Sequence, residues 1–187
     1  MTTEIKPDVK KVTGMFESFD GTSIYYEVRG SGKPIVLCYG LACLMNHWTH
    51  QIRDFSDTYQ TIVFDYRGHH KSETPADHDQ LTIDAICEDI KGLLAHLGIE
   101  KASFWGHSLG VQYLFRLYDR YPELIENMVL INGFATNPIK GMFGVDLMPS
   151  LFSAFKEGQK KFPATLSQIW KLAVTSQIAI PLSALAG

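Results

Sequence analysis

The pentapeptide Gly106-His107-Ser108-Leu109-Gly110 holds the residues best placed to do chemistry. A short apolar run, Ala102-Ser103-Phe104-Trp105, precedes it, and a helix-like stretch over 111–121 follows. A serine flanked by glycines two residues away, set between a strand and a helix, suits a nucleophile on a sharp turn. Strained backbone at that serine would lift its hydroxyl clear of the sheet. The two glycines let strand and helix approach the turn without clash. The N-terminus of the following helix adds positive potential where an oxyanion would develop.

A serine hydroxyl is a weak nucleophile at neutral pH and needs a base within hydrogen-bond reach. The seven histidines are His47, His50, His69, His70, His78, His96 and His107, and none follows Ser108. His107 is the variable residue of the pentapeptide, and its side chain is expected to diverge from that of the serine. His47 and His50 sit three apart at a helix start, where surface or packing roles compete with lining a site. The adjacent pair His69-His70 invites a metal reading. Neighbouring residues rarely turn both rings to one ion, and no third ligand is evident. The three cysteines, Cys38, Cys43 and Cys87, lack metal spacing and read as reduced thiols of a cytoplasmic protein. No metal site is expected.

The elements that must position Ser108 follow from periodicity. Segments 15–19 and 23–28 read as strands joined by a turn at Asp20-Gly21. Segments 34–38, 61–64, 102–105 and 128–131 are short apolar runs, expected as adjacent strands buried on both faces. Segment 81–97 places Ile83, Ile86, Cys87, Ile90, Leu93, Leu94 and Leu97 on one helical face. Strands alternating with helices imply an α/β fold with a mostly parallel sheet after an antiparallel start. We place a core domain over 14–135. After Gly133 the rhythm changes. Leu147, Leu151, Phe152 and Phe155 recur at helical spacing, so 136–187 reads as a helical cap segment. Its apolar end, without a returning strand, reads as a cut inside a longer chain.

Composition narrows the class. At 187 residues, with 45% hydrophobic and 20% charged residues, the chain suits an ordinary globular domain. A formal net charge of −3 gives no hint of nucleic-acid binding. The polar N-terminus carries no signal-peptide pattern, and no apolar run reaches the ~18 residues of a membrane span. Oligomeric state is not legible.

Three motifs in order resemble the α/β-hydrolase superfamily, nearest to its esterase, enol-lactonase and cofactor-free haloperoxidase-like branch. They are the entry hairpin followed by Pro34-Ile35-Val36-Leu37-Cys38-Tyr39-Gly40, the loop Asp65-Tyr66-Arg67-Gly68-His69-His70-Lys71-Ser72, and the elbow around Ser108. The resemblance covers about 16–137. It implies an α/β-hydrolase fold with an oxyanion hole built from the backbone N–H groups of Leu41 and Leu109. Tyr39 stands where the family usually has histidine, and His70 where it usually has glycine. The family's chain order is serine, acid, histidine. Asn132 stands where some relatives carry the acid, and no histidine follows Ser108. The resemblance therefore implies a C-terminally incomplete chain whose acid and base lie beyond Gly187, inactive on its own.

The function implied is a serine hydrolase acting on a carboxylic ester or similar acyl compound, with a covalent intermediate on Ser108 and no cofactor. Its partner would be a small-molecule substrate with an apolar portion. Tyr39, His107, Phe143, Leu147 and Leu151 are candidate substrate-contacting residues, the last three from the cap. Two alternatives stay open: a non-catalytic binding protein on the same fold, and acyl transfer or carbon–halogen or carbon–carbon chemistry on this scaffold. A dehalogenase is disfavoured, because an aspartate would stand where Ser108 does.

Overall fold

A computed structural model describes residues 9–41 and 43–134, together with Glu157 and Lys161. The chain divides into two units, Met1–Thr136 and Asn137–Gly187, and Ser108 lies in the first. The expected cap segment, with Phe143, Leu147 and Leu151, lies outside the described residues.

The first unit is built on one six-stranded sheet. Its strands are β1 (Lys11–Glu17), β2 (Ser23–Arg29), β3 (Lys33–Cys38), β4 (Tyr59–Phe64), β5 (Ala102–His107) and β6 (Ile125–Ile131). Their order across the sheet is β1-β2-β4-β3-β5-β6. β1 and β2 form the expected antiparallel hairpin, and β2 also runs antiparallel to β4. From β4 through β3 and β5 to β6 every pairing is parallel. The hairpin turns where the sequence predicts it, with Gly21 at φ 82. Three helices connect the parallel strands: α1 (Thr49–Phe55), α2 (Ile83–His96) and α3 (Leu109–Arg120).

The sequence explains why these elements form. Ile35 to Cys38 and Thr61 to Phe64 are buried without interruption, as strands covered on both faces must be. α2 begins at Thr82, whose side chain accepts a hydrogen bond from the Ala85 amide, 3.1 Å away. Its apolar stripe, Ile86, Ile90, Leu93 and Leu94, enters the core.

One expectation needs correcting. Segment 128–131 is predicted as a strand buried on both faces, yet Val129 and Leu130 are about two-fifths exposed. β6 pairs only with β5, so it is the sheet edge among the described residues. An apolar run reports strand propensity and does not by itself report what covers the strand.

The chain order creates a switch point. From β3 the chain passes to β4 on one side, and β5 then returns to the other side of β3. The loops leaving the carboxyl ends of β3 and β5 therefore diverge from a shared crevice. That is where open parallel sheets place ligands.

Candidate active site

Ser108 follows β5 directly and opens onto α3. Its backbone lies at φ 53, ψ −116, a conformation that L-residues rarely adopt. Two hydrogen bonds hold it there. The Ser108 amide donates to the Ile131 carbonyl at 3.0 Å, and the Val111 amide donates to the Ser108 carbonyl at 3.1 Å. Strain maintained by its surroundings is a mark of functional turns.

The glycines around it have no room for a side chain. A Cβ on Gly110 would lie 2.3 Å from the Cys38 carbonyl oxygen, and one on Gly106 would lie 3.0 Å from the Gly110 backbone. A Cβ on Gly40 would lie 2.9 Å from the Ser108 Cβ. The loop after β3 thus runs against the serine. Leu41 is next in that loop, with its side chain largely exposed. Leu109 is the first residue of α3, so its amide is one of those a helix leaves without an intrahelical acceptor. The fold brings Leu41, Leu109 and Ser108 to the same end of the sheet.

The other predicted residues part ways. Tyr39 is buried among core aromatics, its ring 4.2 Å from that of Tyr66 by centroids. The Tyr39 hydroxyl accepts from the Tyr66 amide, and the Tyr66 hydroxyl donates to the Tyr39 carbonyl. Those contacts use its polar groups to fix the loop after β3. His107 turns its ring onto His47, with centroids 4.4 Å apart and planes inclined by 27°. Its Nδ1 is buried without a hydrogen-bond partner, beside Gly40.

The 65–72 loop is held by internal bonds. Arg67 is fully buried and makes a two-pronged pair with Asp89, at 2.8 and 2.6 Å, and a third bond to Asp20 at 2.8 Å. Burial pushes the Asp89 carboxyl up, opposed by the guanidinium and by the Ser18 hydroxyl. The neighbouring histidines do not converge. His69 contacts the Arg67 carbonyl, while His70 pairs with the buried Asp65. His70 lies at φ 46, which is why glycine suits that position. Asn132, after β6, also has positive φ, at 47.

The sequence reading missed one grouping. Cys43, His47 and His107 meet beside Ser108. The spacing of Cys43 and His47, four residues apart, was the available signal. The third member, His107, arrives only through the pairing of β3 with β5.

Comparison with known proteins agrees with this architecture. Residues 33–172 match the model of a family described as alpha/beta hydrolase fold. Epoxide hydrolase 4 of Mus musculus is 32% identical over 114 residues, covering 60% of this chain and 32% of that protein. The AB hydrolase superfamily protein YfhM of Bacillus subtilis is 32% identical over 120 residues, covering 63% of this chain and 42% of that protein. Among solved structures, the Bacillus megaterium epoxide hydrolase in complex with an inhibitor superimposes with a TM-score of 0.66 at 24% identity. That match covers 84% of this chain and 54% of the other. The chain thus spans about a third to two-fifths of the length of these curated relatives.

Proposed function

The chain belongs to the α/β-hydrolase fold family, and from that membership we propose that it carries the nucleophile of a serine hydrolase acting on a carboxylic ester or related acyl substrate. The observation that carries the reading is the strained turn at Ser108, at the carboxyl end of β5 and the start of α3. In this scheme the Ser108 hydroxyl attacks the acyl carbon while a base takes its proton. The amides of Leu41 and Leu109 stabilise the negative oxygen that forms. The alcohol leaves, and water then hydrolyses the serine ester and restores the hydroxyl. No histidine follows Ser108 in these residues. The proposal therefore assigns the base, and the acid that orients it, to sequence beyond Gly187. No cofactor enters the scheme.

A second reading draws on the epoxide hydrolases among the relatives. The identity of the nucleophile favours acyl chemistry. A serine oxygen that opened an epoxide would form an ether, which has no carbonyl for water to attack. The enzyme would stall after one event. A serine ester has that carbonyl and turns over.

The test is Ser108→Ala in a protein of the relatives' full length. Fluorophosphonate labelling should vanish and ester turnover should fall roughly 10⁴-fold or more, with folding retained. Labelling at the original rate in that variant would place the nucleophile elsewhere. Epoxide turnover that survives Ser108→Ala would favour the second reading.

A further inference from the structure

The hydrolase scheme gives no acid, base or nucleophile role to the side chains of Cys43, His47 and His107. One donor atom of each lies within 4.8 Å of those of the other two, the one such cluster among the described residues. Cys43 and His47 come from the loop and short 3-10 helix (Met45–Trp48) that follow Gly40, and His107 closes β5. Two loops at the switch point thus supply one cluster.

Three further observations suit a metal ion. The Nδ1 of His107 is buried with no hydrogen-bond partner, so the ring carries a nitrogen that the protein leaves unsatisfied. The stacked rings of His47 and His107 would repel if both were protonated. The stacking also brings a nitrogen of each ring into the same cluster. Cys43 is only partly buried, whereas Cys38 and Cys87 are core thiols that burial pushes far above the ordinary range.

We propose that Cys43, His47 and His107 bind one divalent cation of the zinc class. A thiolate and two imidazoles match zinc, cobalt or nickel, and do not match the oxygen-seeking magnesium or calcium. Zinc bonds of about 2.3 Å to sulfur and about 2.0–2.1 Å to nitrogen set ligand-to-ligand edges of roughly 3.3–3.6 Å in a tetrahedron. The donor atoms, all within 4.8 Å of one another, must therefore close by at most about 1.5 Å, through side-chain rotation of Cys43 and the exposed His47 toward His107. Three protein ligands leave the fourth position for water, as in open zinc sites. The ion would tie the loop carrying Leu41 to the turn carrying Ser108. The site does not depend on acyl chemistry and stands or falls by binding alone.

The test uses a protein of the relatives' full length that contains these residues, reduced and stripped with a chelator, then titrated with cobalt(II). One equivalent should bind and give tetrahedral ligand-field bands together with a thiolate-to-metal charge-transfer band. Zinc should then displace it. Cys43→Ser should abolish the charge-transfer band. Cys43→Ser, His47→Asn and His107→Gln should each weaken zinc binding more than about 100-fold, beyond the 10–100-fold loss typical of an outer-shell partner. His70→Asn, on a separate contact, should change nothing. Far-UV circular dichroism checks folding, and the exposed His47 provides a variant that leaves the core untouched. The proposal is overturned if no stoichiometric binding occurs, if the charge-transfer band survives Cys43→Ser, or if a folded His47→Asn binds zinc as tightly as the parent chain.

Discussion

At the scale of single residues, the site is defined by what cannot be there. Ser108 occupies backbone space that costs of order 1–3 kcal/mol for a residue with a side chain. Its neighbours hold it because Gly110 lets α3 approach β3 to the limit of contact. Gly110→Ala should destabilise the fold by more than about 3 kcal/mol, beyond the usual 1–3 kcal/mol of overpacking, because the obstacle is the Cys38 carbonyl and not a movable side chain. Gly98→Ala isolates the opposite cost, conformation without close approach. It has positive φ but nothing within 4 Å of the added Cβ, so about 1–2 kcal/mol is expected. Urea unfolding of both variants measures the difference. A loss at Gly110 no larger than that at Gly98 would mean that the backbone shifts to admit the methyl group and that close approach does not govern Gly110.

At the scale of elements, the buried Arg67 joins three parts of the chain. It reaches Asp20 in the β1–β2 turn and Asp89 on α2 from the loop after β4. Ser18 completes the set by donating to Asp89 at 2.5 Å. Removing one partner from such a group leaves a buried charge without compensation. Arg67→Ala should therefore cost about 3–5 kcal/mol, read as a shift in the urea midpoint. Arg116→Ala, which breaks an exposed pair with Asp84, should cost far less. A small effect of Arg67→Ala would show that water enters and solvates the orphaned carboxylate. The loop after β4 thus ties the β1–β2 turn to α2.

At the scale of the molecule, β6 is the sheet edge among the described residues, and the sequence carries no histidine after Ser108, the proposed nucleophile. An isolated chain of these 187 residues should hydrolyse aryl esters at little above background. A protein of the relatives' full length containing it should be active, with turnover that requires Ser108. Side-by-side assays at equal folded concentration decide this. Robust Ser108-dependent turnover by the 187 residues alone would make His107, or another upstream histidine, the base. Among the described residues, no helix is long and apolar enough to cross a membrane.

The sequence by itself determined most of the elements and the turn that carries Ser108. Alternation of apolar runs with a 3.6-residue stripe is a local property, so β3, β4, β5 and α2 were legible. So was the turn at Ser108, because the spacing of its glycines is a local pattern, although the contact that excludes a side chain at Gly110 is with Cys38 of β3. What the tertiary structure decided depends on strand order. The exposure of β6 could not be read from its apolar composition, because burial is set by what lies beside a strand. The loop after β3 meets Ser108 only because β5 pairs with β3 across the switch point. Pairing of β3 with β4 sets Tyr39 against Tyr66, and pairing of β3 with β5 brings Cys43 and His47 to His107. Local patterns encode each strand and turn, but a site made by two loops exists only once long-range pairing has closed the distance between them.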